Sequence, residues 1–362
     1  MSPCSRCETL PSPASEGGLL YVAPPLTHTQ ASLRRMLKRD GIPFEEVVDG
    51  ILTVELESGV LHHLGDKIGG SLSETELDDS RALVVEGGID PSIKDLSRMQ
   101  SLGRLLAAVR GEWLVEMMRE GRLTTHFQPI VEAGNPDGEV FAYECLLRGL
   151  DVDGELVAPG AMFEVAEAAG LMFNLDRDAR IMAIRRAAEY GIESNIFINF
   201  NPTSIYDPAY CLQGMMKAFE NTKLRSEQVV FEITEGQRVK DVRHLLNIID
   251  FYRDAGFRIA LDDLGAGYSS LSLLNKLRPD FVKLDIELVR NVGTDPYGTQ
   301  VAAKILELAK SLGVAVVAEG VESEEEWHWL DEHGADYLQG FLFARPASPP
   351  PETSRLSSAG DT

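Results

Sequence analysis

Eight short apolar segments punctuate the last two thirds of the chain: THFQPIV, VFAYECLLRG, IFINFN, VVFEITE, RIALDD, FVKLD, VAVVAEG and YLQGFLF. Amphipathic stretches of helix length lie between most of them, among them PGAMFEVAEAAG through RAAEYG, DVRHLLNIIDFYRDAG and TQVAAKILELAKSLG. Parallel strands need long crossovers, so this alternation predicts a largely parallel sheet with helices packed outside it. Eight such strands over roughly 240 residues match an α/β fold of the closed (β/α)8 type, the triosephosphate isomerase barrel. An open doubly wound sheet is the alternative. Against it, no G-x-G-x-x-G loop follows the first strand.

Polar residues recur at the ends of these segments. Glu144 lies inside AYECLL, Asn199 ends IFIN, Glu232 ends VVFE, Asp262 and Asp263 end IALDD, and Glu319 ends VVAE. Lys283 lies within FVKLD, and Gln339 follows YL. In a parallel barrel these ends converge on the carboxyl-terminal mouth, where barrel enzymes carry out their chemistry. One such acid is an ordinary solvated strand terminus. A ring of them repels itself unless cations are bound, and an all-oxygen set of carboxylates with one amide suits hard divalent ions such as Mg²⁺, Mn²⁺ or Ca²⁺.

Strand alternation adds detail. In AYECLLRG, Glu144, Leu146 and Arg148 share one face and Cys145 takes the other. In FVKLD, Lys283 and Asp285 share a face, with Val282 and Leu284 on the opposite side. A lysine among acids is an ion-pair partner, and here it is also placed to position or deprotonate an attacking water. Adjacent aspartates at a strand end can bridge two cations, the arrangement used for in-line phosphoester displacement. The reaction class read from the residues is metal-assisted phosphodiester hydrolysis.

From about Trp113 to Pro346 the chain resembles the EAL domain, the bacterial phosphodiesterase that opens cyclic di-GMP to the linear dinucleotide pGpG. The matching strings are FQPIV, YECLLRG at the family's name motif, INFNP, FEITE, LDDLGAGYSS, RPDFVKLD, VVAEGVES and YLQGFLFARP. The resemblance implies a triosephosphate isomerase-type barrel with one antiparallel strand, two Mg²⁺ or Mn²⁺ ions, and a homodimer formed through the barrel. By position it implies metal binding by Glu144, Asn199, Glu232, Asp262, Asp263 and Glu319. Lys283 matches the catalytic lysine, with Glu322 and Gln339 near the metals and the hydrolytic water. Gln128 and Arg148 match substrate-contacting positions, Asp285 is grouped with them, and Glu235 matches the residue that steadies the loop after the paired aspartates. Two hypotheses follow: an active phosphodiesterase, or a receptor that binds the nucleotide and signals through a protein partner. Receptors usually have a broken metal set, and here the set is whole. A barrel enzyme for another phosphodiester, such as a glycerophosphodiester, fits the metal chemistry but not the extended string match.

Three departures stand out. Cys145 replaces the alanine of the name motif, but alternation turns it away from Glu144 toward the barrel wall, where it acts as a small apolar residue. Leu264 and Ala266 replace the usual Phe and Thr of the loop after Asp263, which bears on loop order or dimer coupling. Gly265 and Gly267 allow that loop backbone angles closed to most residues.

The rest of the chain is less informative. Residues 1–20 read as a flexible tail, 21–92 as a small α/β domain, 93–112 as a helical connector, 113–349 as the barrel, and 350–362 as a second tail. In the small domain LLYVAP, ILTVEL and RALVVEGG read as strands, and TQASLRRMLKRDG as a helix stopped by Gly41. Ser71 with Glu74 and Ser73 with Glu76 offer overlapping capping boxes. Leu96, Met99, Leu102, Leu105, Leu106 and Val109 keep helical spacing. Cys4 and Cys7 form half of a zinc site that only His28, His62 or His63 could complete nearby, and they read as reduced thiols. A net charge of -23 excludes an electrostatic grip on long nucleic acid. With no signal peptide and no apolar run of about 18 residues, the expectation is a cytoplasmic protein without a membrane span. No GGDEF string is present, so synthesis of cyclic di-GMP is not expected.

Overall fold

The computed structural model describes residues 10, 17–57, 60–85, 91–137, 139–205, 207–220, 222–234, 242–265, 270–290 and 292–352. The chain forms two compact units, one of residues 1–122 with 149–175, the other of 123–148 with 176–362.

The first unit begins with β1 (Gly18–Ala23), α1 (Thr27–Arg39), β2 (Glu45–Val48), β3 (Ile51–Leu56), α2 (Val60–Gly69), α3 (Glu74–Asp79) and β4 (Arg81–Val85). Then come β5 (Gln100–Ser101), α4 (Leu102–Arg110) and α5 (Glu112–Arg119). The sheet order is β2-β3-β1-β4-β5, and every neighbour is antiparallel. Its first four strands have the split βαβ arrangement of ferredoxin-like folds. Alternation aims Leu20 and Val22 of β1 and Leu52, Val54 and Leu56 of β3 at the helices. They meet Leu33, Met36 and Leu37 of α1, Leu61, Leu64 and Ile68 of α2, and Leu102, Leu105, Leu106 and Val109 of α4.

Two expectations change here. Of the two capping boxes, Ser73 and Glu76 form the one that starts α3. The helical pattern before Leu102 is not an α-helix: residues 95–98 make a 3-10 turn and 100–101 pair with β4. Ile93 is 88% exposed, whereas Leu102, the first residue of α4, which Ser101 caps by accepting from Arg104 N, is fully buried in the core of this unit. His28 and His62 lie against Glu76 and Glu112, while Cys4 and Cys7 fall outside the described residues.

The chain continues through β6 (Leu123–Glu132), β7 (Ala142–Leu150), β8 (Leu156–Val157), α6 (Pro159–Ala169) and α7 (Met172–Glu189). Next are β9 (Asn195–Asn199), α8 (Pro208–Phe219), β10 (Val229–Thr234), α9 (Val242–Asp254), β11 (Arg258–Leu264) and α10 (Ser270–Leu277). It ends with β12 (Phe281–Leu284), α11 (Ile286–Val289), α12 (Pro296–Leu312), β13 (Ala315–Ala318), α13 (Glu324–Glu332) and β14 (Tyr337–Leu338). The sheet runs β6-β14-β13-β12-β11-β10-β9-β7, and β6 pairs with β7 to close an eight-stranded barrel. Seven strands are parallel. β6 runs the other way, antiparallel to β14, as the family resemblance implies. The short β8 adds a hairpin to the end of β7. No helix among the described residues is long and apolar enough to cross a membrane.

Each barrel strand divides its residues between two environments. Ile196, Ile198, Val229, Phe231, Ile233, Ile259, Leu261, Val282 and Leu284 face outward into the large core shared with the helices. Cys145 belongs to this core and is 5% exposed, as its expected turn away from Glu144 requires. Ile130, Ala142, Phe197, Val230, Ala260, Phe281 and Val317 fill the barrel interior, with Tyr337 packed against them. That apolar layer is the floor of the site.

Candidate metal and phosphodiester site

Two residues beyond the floor on every strand, the barrel changes from apolar to polar. Ala142 leads to Glu144, Phe197 to Asn199, Val230 to Glu232, Ala260 to Asp262, Phe281 to Lys283, Val317 to Glu319 and Tyr337 to Gln339. On reversed β6 the step is taken backwards, from Ile130 to Gln128. Each of the eight strands therefore contributes one polar side chain to a single layer facing the carboxyl-terminal mouth.

Lys283 stands at its centre, 1% exposed. Its Nζ is 2.5 Å from Glu319 Oε1 and 2.7 Å from Glu232 Oε1, and 3.5 Å from both Glu144 Oε2 and Asp262 Oδ1. A hydrogen-bonded chain ties in the amides. Gln339 Nε2 donates to Glu144 Oε2 at 2.6 Å and to Gln128 Oε1 at 3.0 Å, while Asn199 Nδ2 donates to Glu144 Oε1 at 3.3 Å.

Asp263 enters by a different route. Strict alternation would send adjacent aspartates to opposite faces. The pairing of β11 with β12 shifts register between Leu261 and Leu264, and Asp263 adopts φ 56°. The irregularity turns both carboxylates into the site, so that Asp262, Asp263 and Glu319 present oxygens within 4.8 Å of one another. Asp is among the residues that tolerate this left-handed conformation, and such strain clusters at functional sites. Gly265 follows at φ 115°, where a Cβ would lie 2.2 Å from Leu288 Cδ1, so this turn requires glycine.

The electrostatics match the crowding. Burial, with Glu144 and Asp262 nearby, pushes Glu232 well above the usual carboxylate range despite Lys283. Burial also raises Glu319 to about 8, and burial with Asp262 and Asp285 raises Asp263 to about 6. Burial would lower Lys283, but Asp262, Glu144, Glu232 and Glu319 overcome it and hold the ammonium well above its ordinary value. Glu144 is the exception: Lys283 and the amides of Gln339 and Asn199 outweigh its burial and lower it.

The layer has more carboxylates than local positive charge. Glu232 is completely buried; its Oε1 lies 2.7 Å from Lys283 Nζ, while Glu232 Oε2 and Gln339 Oε1 have no hydrogen-bond donor among the described residues. Orphaned buried oxygens of this kind cost free energy unless a donor or cation meets them. An all-oxygen set around them fits hard divalent cations.

The remaining sequence candidates behave differently. Asp285 is 8% exposed, and its Oδ1 accepts from Glu287 N at 2.7 Å, capping α11. Arg148 donates to the Leu147 carbonyl, feels the charge of Glu144, and lies close enough to His126 to lower its pKa. Glu322 does not join the layer; its carboxylate meets Arg290 at 3.1 Å. Glu235, Ala266 and Gly267 fall outside the described residues, and Leu264 is buried in the outer core. His126 and Arg290 were not singled out from sequence. His126 was detectable, standing two residues before Gln128 on the same strand face.

A family profile described as the EAL domain matches residues 112–346. The probable cyclic di-GMP phosphodiesterase PdeG of Escherichia coli K12 is 29% identical over 246 residues, 67% of this chain and 48% of that protein. Cyclic di-GMP phosphodiesterase PdeR of the same organism is 30% identical over 241 residues, 65% of this chain and 36% of that protein. The chain thus spans about half or less of these relatives. Among solved structures, the c-di-GMP-bound standalone versatile EAL protein of Vibrio cholerae O395 is 35% identical with a TM-score of 0.58, over 64% of this chain and 95% of that one. The manganese/cy-diGMP complex of Klebsiella pneumoniae BlrP1 is 26% identical with a TM-score of 0.56, over 91% of this chain and 96% of that one.

Proposed function

This chain belongs to the EAL domain family, and from that premise we propose that it is a metal-dependent phosphodiesterase that opens cyclic di-GMP to linear pGpG. The observation that carries the reading is the complete polar layer, one side chain from each barrel strand, with buried oxygens at Glu232 Oε2 and Gln339 Oε1 that no donor among the described residues meets. Relatives named as cyclic di-GMP phosphodiesterases and structures solved with that nucleotide support it.

Glu144, Asn199, Glu232, Asp262, Asp263 and Glu319 would hold two Mg²⁺ or Mn²⁺ ions, which when bound would lower the pKa of a water and polarise the phosphodiester. Lys283 manages the proton. With the carboxylates unneutralised it is a firmly held ammonium. Once their charge is compensated they favour the ammonium less, and Nζ can orient the attacking water and take its proton. Gln339, fixed by its bonds to Glu144 and Gln128, orients the same water. Arg148 offers a guanidinium to the phosphate. Gln128 and Asp285 offer polar edges to the nucleotide, Glu322 serves at the rim near the water, and Glu235 steadies the loop after Asp263.

In the same proposal residues 113–349 form the phosphodiesterase barrel, with residues 21–92 an accessory domain joined through 93–112. The barrel pairs in a homodimer, and the protein works in the cytoplasm. Incubation of the purified chain with cyclic di-GMP and Mn²⁺, followed by chromatography for pGpG, tests the activity beside Glu144→Ala. Turnover by the parent and loss of at least about 10²-fold in the variant is the expected result. Nucleotide binding without pGpG from either protein would replace this reading with the receptor.

A further inference from the structure

Asp176 and Arg180 form a buried ion pair outside the polar layer, one turn apart on α7, 5% and 3% exposed. Arg180 Nη2 donates to Asp176 Oδ2 at 2.7 Å, and Nη1 donates to the Tyr252 hydroxyl at 3.3 Å. The guanidinium also lies 5.2 Å from the centre of the Phe200 ring. The other donors to Asp176 come from one short stretch of chain. Asn201 N donates to Oδ1 at 3.0 Å, and the buried Ser204 hydroxyl donates to Oδ2.

A buried ion pair is weak evidence of stabilisation, since apolar residues of similar volume often serve as well. What apolar residues could not supply is an acceptor with two oxygens aimed at Asn201 and Ser204. Those residues bound the turn that leaves β9, and Asn201 is two positions after Asn199. On the other side, Phe200 N donates to the Glu232 carbonyl at 2.8 Å, and Asn199 stands in register with Glu232 on β10. Asn199 is therefore held between a ladder contact and the Asp176 contact, with its amide on Glu144 at 3.3 Å.

We propose that Asp176, held in place by Arg180, is a positioning residue that fixes the Asn201–Ser204 turn and thereby sets Asn199 for cation binding. The inference rests on the metal-site reading above. Partners one step removed from metal ligands commonly change affinity about 10–100-fold when altered.

The test is Mn²⁺ binding to the full, metal-stripped chain, followed by the electron paramagnetic resonance of free Mn²⁺. Asp176→Asn and Ser204→Ala are compared with the parent and with Asn199→Ala, and folding is monitored by circular dichroism at the titration temperature. Asp176→Asn is expected to raise the Mn²⁺ Kd about 10–100-fold while folded, with Ser204→Ala shifted less in the same direction. Turnover at saturating Mn²⁺ should recover more fully than turnover at limiting Mn²⁺, a split that a loss of folded protein would not produce. An unchanged Kd in folded Asp176→Asn, with Kd raised in Asn199→Ala, overturns the inference. Should Asp176→Asn not fold, Ser204→Ala decides alone, because it leaves the ion pair intact. If Asn199→Ala binds Mn²⁺ like the parent, the metal-site reading fails and takes the inference with it.

Discussion

Lys283→Met keeps most of the length of a fully buried side chain and removes its charge. In the parent, Nζ lies 2.5 Å from Glu319, 2.7 Å from Glu232 and 3.5 Å from Glu144 and Asp262. Four carboxylates lose the ammonium they share. Removing one member of a buried ion pair costs about 3–5 kcal/mol, because a charge is left uncompensated. Protonation limits the loss, because burial already holds Glu319 at about 8 and Glu232 well above the carboxylate range, so both take a proton readily once the ammonium is gone. The expected destabilisation is therefore at the lower end of that range, about 3 kcal/mol, a large share of a stability of about 5–15 kcal/mol. Urea unfolding with chelator present should show it. Adding Glu232→Gln, which removes the most deeply buried carboxyl group, should recover part of the loss. Saturating Mn²⁺ should narrow the gap if it binds as proposed, since it would supply positive charge to the same carboxylates and stabilise the folded form by mass action. Turnover should remain about 10²–10⁴-fold down even then, because the variant lacks the group proposed to handle the water's proton. A metal-free single variant as stable as the parent, or a double variant less stable than the single, would refute the account of the layer.

Two further expectations rest on other observations. Burial, helped by Arg148, holds His126 below its ordinary value, so the imidazole is neutral at pH 7. A depressed pKa contributes stability that is present above about 6.5, the unfolded value, and lost as pH falls through the folded one. An NMR titration should place His126 below 6.5, and Arg148→Ala should move it upward; a downward shift or none would show that the guanidinium does not act on it. Gly340→Ala is expected to be severely destabilising, by about 3 kcal/mol or more. Its Cβ would lie 2.0 Å from the Val321 carbonyl oxygen, a backbone atom that cannot rotate away. Val321 N donates to Gln339 O at 3.0 Å, so the same change should disturb Gln339, and a thermal midpoint close to the parent's would contradict this.

Much of the site was legible because barrel strands have a period of two. Glu144, Asn199, Glu232, Asp262, Lys283, Glu319 and Gln339 each stand two residues beyond an apolar interior residue, and that spacing is local to each strand. Other features needed more than local spacing. The apolar residues from Ile93 to Met99 kept the helical period without forming an α-helix, because periodicity says nothing about what is available to cover the face. Glu322 followed its family string, yet its carboxylate pairs with Arg290 rather than with the layer. Asp176 and Arg180 read as one more charged pair along a helix until the fold laid the Asn201–Ser204 turn over them.

The amino-acid sequence by itself determined the alternation of strands and helices, the floor, and the polar residue above it on each strand, because side-chain direction along a strand is set by the chain's own stereochemistry. Only the tertiary structure decided that these residues meet. Closure of β6 against β14 and β7 brings Gln128, from a strand running backwards, level with Glu144 and Gln339. The shifted pairing with β12 turns Asp263 into the site beside Asp262, against the alternation of its own strand. Both depend on register between strands far apart in sequence, a quantity that no single segment carries.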